Sequence, residues 1–204
     1  MSAPETASLR DARAGVCLSG CSASIVEISG RRTRARESEG FARGLEDLAR
    51  DRGVALPASG QAAIAPDHLV LSYRPDRWLL LMRAAPPAET AALWQAVCTG
   101  AGVAVDLSAG LAVLQLAGTS ARDMLARGCR LDLHPEAFPT GRAAATIIAQ
   151  VSVIIVGLPA GLLLLTPAST ARHFSEWVAA TAQPFGFIRQ ADRTLAALLG
   201  SNDS

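Results

Sequence analysis

The chain has 204 residues, 50% hydrophobic and 18% charged, with a formal net charge of +1. It is therefore globular, with enough apolar residues for one larger domain or two small ones, and it lacks the basic excess that holds a phosphate backbone, which excludes a nucleic-acid binder. A mean hydropathy of +0.27 with so few charges predicts an apolar face covered by another protein chain.

In chain order, residues 1–20 carry Glu5 and Asp11 and no apolar h-region, so they do not resemble a signal peptide and are expected to be a mobile segment. The four cysteines, Cys17, Cys21, Cys98 and Cys129, form neither a CxxC pair nor a regular framework, which fits reduced thiols in a cytoplasmic protein. "ASIVEIS" (23–29) predicts a strand, "RRTRARE" a charged connection, and Phe41, Leu45 and Leu48 a helix over Ser38 to Asp51 stopped by Gly53. "HLVLSYRPDRWLLLM" (68–82) reads as two strands around the turn "YRPDR". "PPAETAALWQAVCTG" is a helix with proline in its first turn and Leu93, Trp94 and Val97 on one face. A strand at 103–108 completes β-α-β-β-α-β, the ferredoxin-like split unit.

The pattern then returns. "GLAVLQLAG" is a strand, and "TSARDMLARG" is a short helix capped by Thr119 or Ser120 with Gly128 at its end. Strands follow over 143–166, and a last helix starts near Ser169 with Phe174, Trp177 and Val178 inward. "RWLLLM" and "GLLLLTP" fall at corresponding places. The expected fold class is α+β, with two ferredoxin-like β-α-β-β-α halves (about 21–108 and 109–187) in a single domain over 21–187. A C-terminal tail over 188–204 is expected to hold a short docking helix and end loosely. Between Arg142 and Arg172 no charge occurs, a length that would span a bilayer as a helix. The β-branched residues of its first half and "GLPAG" at 157–161 predict a buried strand, turn, strand instead, and no membrane association.

"GCRLDLHPEAFP" (128–139) brings Cys129, Asp132 and His134 within six positions. Three readings are open: a Cys129 nucleophile with His134 as base, part of a metal site, or a structural turn. The first needs an oxyanion hole and a sulfur–imidazole hydrogen bond that nothing else in the sequence supplies. A metal needs three or four ligands in closed spacing, whereas His68 and His173 are isolated and Cys17 and Cys21 lie near the terminus. The structural reading has Asp132 and His134 satisfying backbone groups while Leu131, Leu133 and Phe138 plug the core. Elsewhere the chain lacks GxGxxG and GxxxxGK[ST] nucleotide loops. "RRTRAR" (31–36) is either an anion-attracting patch or a solvated loop. Trp94 and Trp177 read as core, and Arg77 as either the partner of a carboxylate or a hairpin-edge residue.

"RPDRWLLL", "VAVDLSAGLAVLQLAGTSARDMLARGCRLDLHPEAFPTGRAAATIIAQVSVII" and "LLLLTPASTARHFSEWV" together resemble the gamma subunit of heterotetrameric sarcosine oxidase over roughly 70–180. The order Gly118, Arg122, Asp123, Gly128, Cys129, Asp132, Leu133, His134, Pro135, Phe138, Gly141 is the most specific part. The resemblance implies a fold similar to the folate-binding domain of the glycine-cleavage aminomethyltransferase, and a complex that oxidatively demethylates sarcosine and passes the one-carbon unit to tetrahydrofolate. It further implies alpha, beta and delta partner subunits that carry FAD, FMN, NAD, tetrahydrofolate and zinc. This chain would carry no redox cofactor and no catalytic or metal-binding residue. Gly128, Cys129, Asp132, Leu133, His134, Pro135 and Phe138 would then be structural members of the family motif. The alternatives are the equivalent subunit of a related N-methyl amino-acid dehydrogenase, or a free-standing folate-binding aminomethyltransferase-like protein with Asp106 or Asp132 holding the pteridine.

Overall fold

The computed structural model describes residues 15–30, 35–83, 87–98 and 102–199. The strands are β1 (Val16–Ser22), β2 (Ser24–Gly30), β3 (Gln61–Ile64), β4 (His68–Arg74), β5 (Arg77–Met82), β6 (Gly102–Asp106), β7 (Leu111–Ala117), β8 (Ala143–Ile148), β9 (Val151–Leu158), β10 (Gly161–Pro167), β11 (Phe187–Arg189) and β12 (Arg193–Thr194). The helices are α1 (Ala35–Asp51), α2 (Pro87–Val97), α3 (Ala121–Ala126), α4 (Ala171–Ala182) and α5 (Leu195–Leu199). Among the described residues the strands form a seven-stranded sheet, β11-β1-β7-β10-β9-β8 with β12 also on β1, and a five-stranded sheet, β3-β4-β5-β2-β6.

Each sheet buries a different apolar set on each face, as the period of two dictates. Val26, Ile28, Val70 and Leu80 of the five-stranded sheet meet Phe41, Leu45 and Ala49 of α1 and Trp94 of α2. Leu18, Leu114, Leu116, Val153 and Ile155 of the other sheet meet Met124 and Leu125 of α3 and Phe174 and Val178 of α4. Between the sheets, Ile25, Leu69, Leu71, Leu79 and Leu81 pack on Val113, Val156, Leu158, Leu163 and Leu165. The result is a helix, sheet, sheet, helix sandwich of mixed α+β class.

The two sheets repeat one plan. In the first, β2 is flanked by β5 and by the antiparallel β6, with β4 beyond β5 and the short β3 outside it. In the second, β7 takes the place of β2, β10 that of β5, β9 that of β4 and β8 that of β3. "RWLLLM" and "GLLLLTP" are thus equivalent strands, β5 and β10. The place of β6 is filled by β1, which pairs antiparallel with β7 from Cys17↔Ala117 to Cys21↔Val113.

Several expectations are corrected here. Residues 16–20, expected as part of a mobile segment, belong to β1, where Val16 and Leu18 are fully buried; residues 1–14 lie outside the described residues. The uncharged run holds three strands, since Ala149 and Gln150 make a second, two-residue turn at φ 48° and 67°. Ser120 occupies the N-cap of α3 without a side-chain cap bond, and its amide instead donates to the Gly15 carbonyl at 2.8 Å. Gly53, at φ 64°, does end α1, with the Val54 amide on the Ala49 carbonyl. Of the tail, α5 seats Leu195, Leu198 and Leu199 in the inter-sheet core, while 200–204 lie outside the described residues. The side chains of the 31–36 run and of Val97 also lie outside them.

Candidate functional site

The segment after α3 turns sharply and is held from two sides. The Asp132 carboxylate accepts the His134 amide at 2.9 Å, and the His134 carbonyl accepts the amides of Ala137 and Phe138 at 2.9 and 2.8 Å. His134 Nδ1 accepts the Glu136 amide at 3.4 Å. From α3, Arg122 Nη1 donates to the carbonyls of Leu133 (2.6 Å) and Phe138 (2.9 Å). Partial burial lowers the Arg122 pKa from its ordinary value, because desolvation disfavours the charged form. Leu133 and Phe138 are buried in the core above the seven-stranded sheet, and Leu131 packs against it half-buried.

Gly128 and Gly157 frame this turn by close approach. A Cβ on Gly128 would overlap the Trp177 ring, and one on Gly157 would overlap the Pro139 carbonyl. Gly128 does not adopt the left-handed conformation expected of a helix-stopping glycine. Room for the Trp177 ring is what makes it a glycine. Trp177 is half-buried and stacks on the fully buried Phe174 with ring centroids 6.0 Å apart.

Cys129 lies in the apolar core at 9% exposure, with its backbone bridged to Ile148. The His134 side chain is 65% exposed and engaged with the turn. The structure therefore does not bring Cys129 and His134 together as a nucleophile and its base. Asp132 and His134 border a depression of about 450 Å³ with Thr119, Arg122 and Pro135. Asp106 is exposed at the end of β6 and accepts the Ser108 amide at 2.8 Å; hydrogen bonds from the Ser108 hydroxyl and amide hold its carboxyl below the usual range. The two candidate pteridine-binding carboxylates thus each cap a turn.

Arg77 does meet a carboxylate. Its Nη1 lies 2.7 Å from Glu27 Oε1, while the Tyr73 hydroxyl donates to Glu27 Oε2 at 2.8 Å. Burial and the bond to Glu27 raise the Tyr73 pKa. Among the described residues no three His, Cys, Asp or Glu side chains are placed to hold a metal ion, and no helix is long and apolar enough to cross a membrane. His68 pairs with Asp67 at 2.7 Å.

Sequence reasoning missed an open cleft of about 800 Å³ between α4, the ends of β1 and β7, and β11. Ala171, Ser175 and Ala179 present its helical wall; Leu114 and Phe187 are apolar lining, and Arg189 and Asp192 are charged lining. Asp192 is turned onto the Gly20 amide at 3.1 Å, and Arg172 onto Glu176 at 2.9 Å. Cys21 borders the cleft, its thiol pushed up to about 11 by burial and by Asp192. No local pattern announced the cleft, because the chain returns to β1 only through the tail.

The sandwich of two equivalent sheets is a mixed α+β fold, and solved structures share it. It superposes on the glycine cleavage system aminomethyltransferase T from Bartonella henselae with a TM-score of 0.60 at 17% identity, over 93% of this chain and 50% of that one. Over residues 42–182 the sequence matches the family model described as sarcosine oxidase, gamma subunit family, and the chain belongs to that family. It is 38% identical over 110 residues to the sarcosine oxidase subunit gamma of Corynebacterium sp. (strain U-96), over 53% of each chain. It is likewise 38% identical over 112 residues to that of an Arthrobacter species, over 53% of this chain and 54% of that one. The chain thus spans about half the length of the curated relatives it matches. A chain of the heterotetrameric sarcosine oxidase from Corynebacterium sp. U-96, in complex with pyrrole 2-carboxylate, superposes with a TM-score of 0.72 at 26% identity, over 88% of this chain and 91% of that one.

Proposed function

We propose that this chain is the non-catalytic gamma-type subunit of a heterotetrameric sarcosine oxidase, in which it supports the larger chains. One observation carries the reading. The residues that give the family motif its chemistry on paper are spent on packing and on backbone hydrogen bonds, with Cys129 in the core and Asp132, His134 and Arg122 closing one turn. Among the described residues Cys129 has no hydrogen bond to His134, the contact that a thiol nucleophile and its base would make, which supports a role in packing for this motif.

On this reading the alpha, beta and delta chains hold FAD, FMN, NAD, tetrahydrofolate and zinc, and the complex works in the cytoplasm on sarcosine. The test is reconstitution with those three chains. The isolated subunit should neither oxidise sarcosine nor copurify with flavin, and a complex assembled without it should lose thermal stability. Stoichiometric flavin on the isolated chain, or sarcosine turnover by it, overturns the proposal.

A further inference from the structure

The inter-sheet core is closed at one end and open at the other. Along β7 the residues facing that core run Leu111, Val113, Gln115. At the Gln115 end the chain supplies its own plug: α5 inserts three leucines, and Arg193 ties it down through Gln115 Oε1 (3.0 Å) and the Ala197 carbonyl (2.9 Å). At the Leu111 end lies a groove of about 370 Å³, lined by Leu111, Ala145, Ile147, Ile154, Leu165 and Tyr73 among others.

The exposed large hydrophobic residues among those described are Ile147, at 63%, and Val105, at 42%. Both lie on core-facing sides of their sheets. Ile147 is in phase with Ala143, which belongs to the inter-sheet core, and Val105 pairs with Glu27, which is in phase with Ile25. Glu27 in turn bonds Tyr73 at the groove wall. Of the two exposed residues, Ile147 lines the groove, so an apolar position on the inward pleat of the sandwich is left uncovered at this mouth by the described residues.

Of the charged groups at the mouth, Glu27 and Arg77 pair with each other and Arg74 does not pair with a carboxylate among the described residues. Glu27 binds both the Tyr73 hydroxyl and Arg77. Arg74 has its guanidinium 5.5 Å from the Tyr73 ring centre and no carboxylate partner among the described residues. Tyr and Arg beside an exposed aliphatic side chain is the composition of an interface core.

Resting on the subunit reading above, we infer that this mouth is the docking site for an apolar segment of a larger partner chain, which fills the groove as α5 fills the opposite end and brings a carboxylate to Arg74. The tagged chain is coexpressed with the alpha-, beta- and delta-type chains, and retention of the large chain is measured for wild type, Ile147→Asp, Arg74→Glu and, as a control on α4 outside the groove lining, Glu176→Gln. Ile147→Asp should weaken retention at least tenfold and Arg74→Glu severalfold, while Glu176→Gln retains it and every isolated variant melts as wild type does. Wild type that binds, with folded Ile147→Asp and Arg74→Glu binding equally well, overturns the groove and leaves the subunit reading standing. Wild type that fails to retain any large chain overturns both. Self-association of the isolated chain that Ile147→Asp abolishes would make a second copy the occupant and overturn the inference.

Discussion

The Arg122 guanidinium lies 2.6 Å from the Leu133 carbonyl, so a charged side chain of a six-residue helix fixes the turn that follows it. The same nitrogen reaches the Phe138 carbonyl, and one cation therefore closes both ends of the loop that seats Leu133 and Phe138 in the core. Arg122→Met keeps much of the stem and strands both carbonyls. A buried unsatisfied acceptor costs about 1 to 3 kcal/mol, so urea unfolding should report a loss in that range or somewhat above it. Arg122→Lys keeps a cation with several donors on one nitrogen, but on a stem of different length and shape, and should recover only part of the loss.

Cys129 and Leu133 should separate chemistry from packing. Cys129→Ser should leave turnover of an assembled complex nearly unchanged. Leu133→Ala should cost about 2 to 5 kcal/mol of stability, the usual range for a buried leucine, and His134→Ala should be milder. Melting temperature and turnover, read together in the reconstituted complex, make the check. Loss of turnover by Cys129→Ser at unchanged melting temperature would restore the nucleophile reading.

Legibility in the sequence followed how local each signal was. Phe41 and Leu45 at helical spacing, "YRPDR" between two apolar runs and "GLPAG" within the uncharged stretch each act over a few residues, and the corresponding helix and turns lie where those patterns put them. The strand β1 gave no such sign: "VCLSGCS" carries small residues around Gly20, and its reason to be a strand is β7, far along the chain. The cleft beside α4 was invisible for the same reason, as it needs β1, β7 and β11 together. Arg122 was visible as part of the family's order of residues, but its two carbonyl partners can be identified only once the turn is folded.

Gly128 faces Trp177, and the pair should behave as a coupled one. Gly128→Ala forces a Cβ into the indole ring and should destabilise by about 1 to 3 kcal/mol, as overpacking does. Combined with Trp177→Leu, which empties that space, the added methyl should cost clearly less than it does alone. Additive losses in the double mutant would show that the glycine answers to some other constraint.

Cys21 should be a slow nucleophile. Burial first and the Asp192 carboxylate second push its thiol up from 9.0 to about 11, so the thiolate, the reactive species, is scarce at neutral pH. A shift of two pH units lowers the thiolate fraction roughly 100-fold, and iodoacetamide should label Cys21 slower than a free thiol by that order between pH 7 and 8. The sign for stability follows from the same shift. A folded pKa above the unfolded one means the protonated fold is favoured, so this contribution is complete below about pH 9 and is lost as pH rises toward 11. Asp192→Asn removes the repelling charge and should speed labelling, although it also loosens the Gly20 amide contact.

The turn between β8 and β9 carries a removable strain. Ala149 and Gln150 both sit at positive φ, 48° and 67°, where a side chain costs about 1 to 2 kcal/mol relative to the right-handed region. A two-residue hairpin of this kind favours glycine at the second central position. Ala149 packs half-buried against the core and is better left alone, whereas Gln150 is exposed. Gln150→Gly should therefore stabilise the chain, offset in part by the greater freedom of glycine when unfolded, for a net gain of about 0.5 to 1 kcal/mol. Gln150→Val, β-branched at the same φ, should destabilise it. Denaturant midpoints at unchanged slope give both signs. A midpoint raised by Gln150→Val, or lowered by Gln150→Gly, would mean that the turn is not the strained type I′ hairpin its dihedral angles describe.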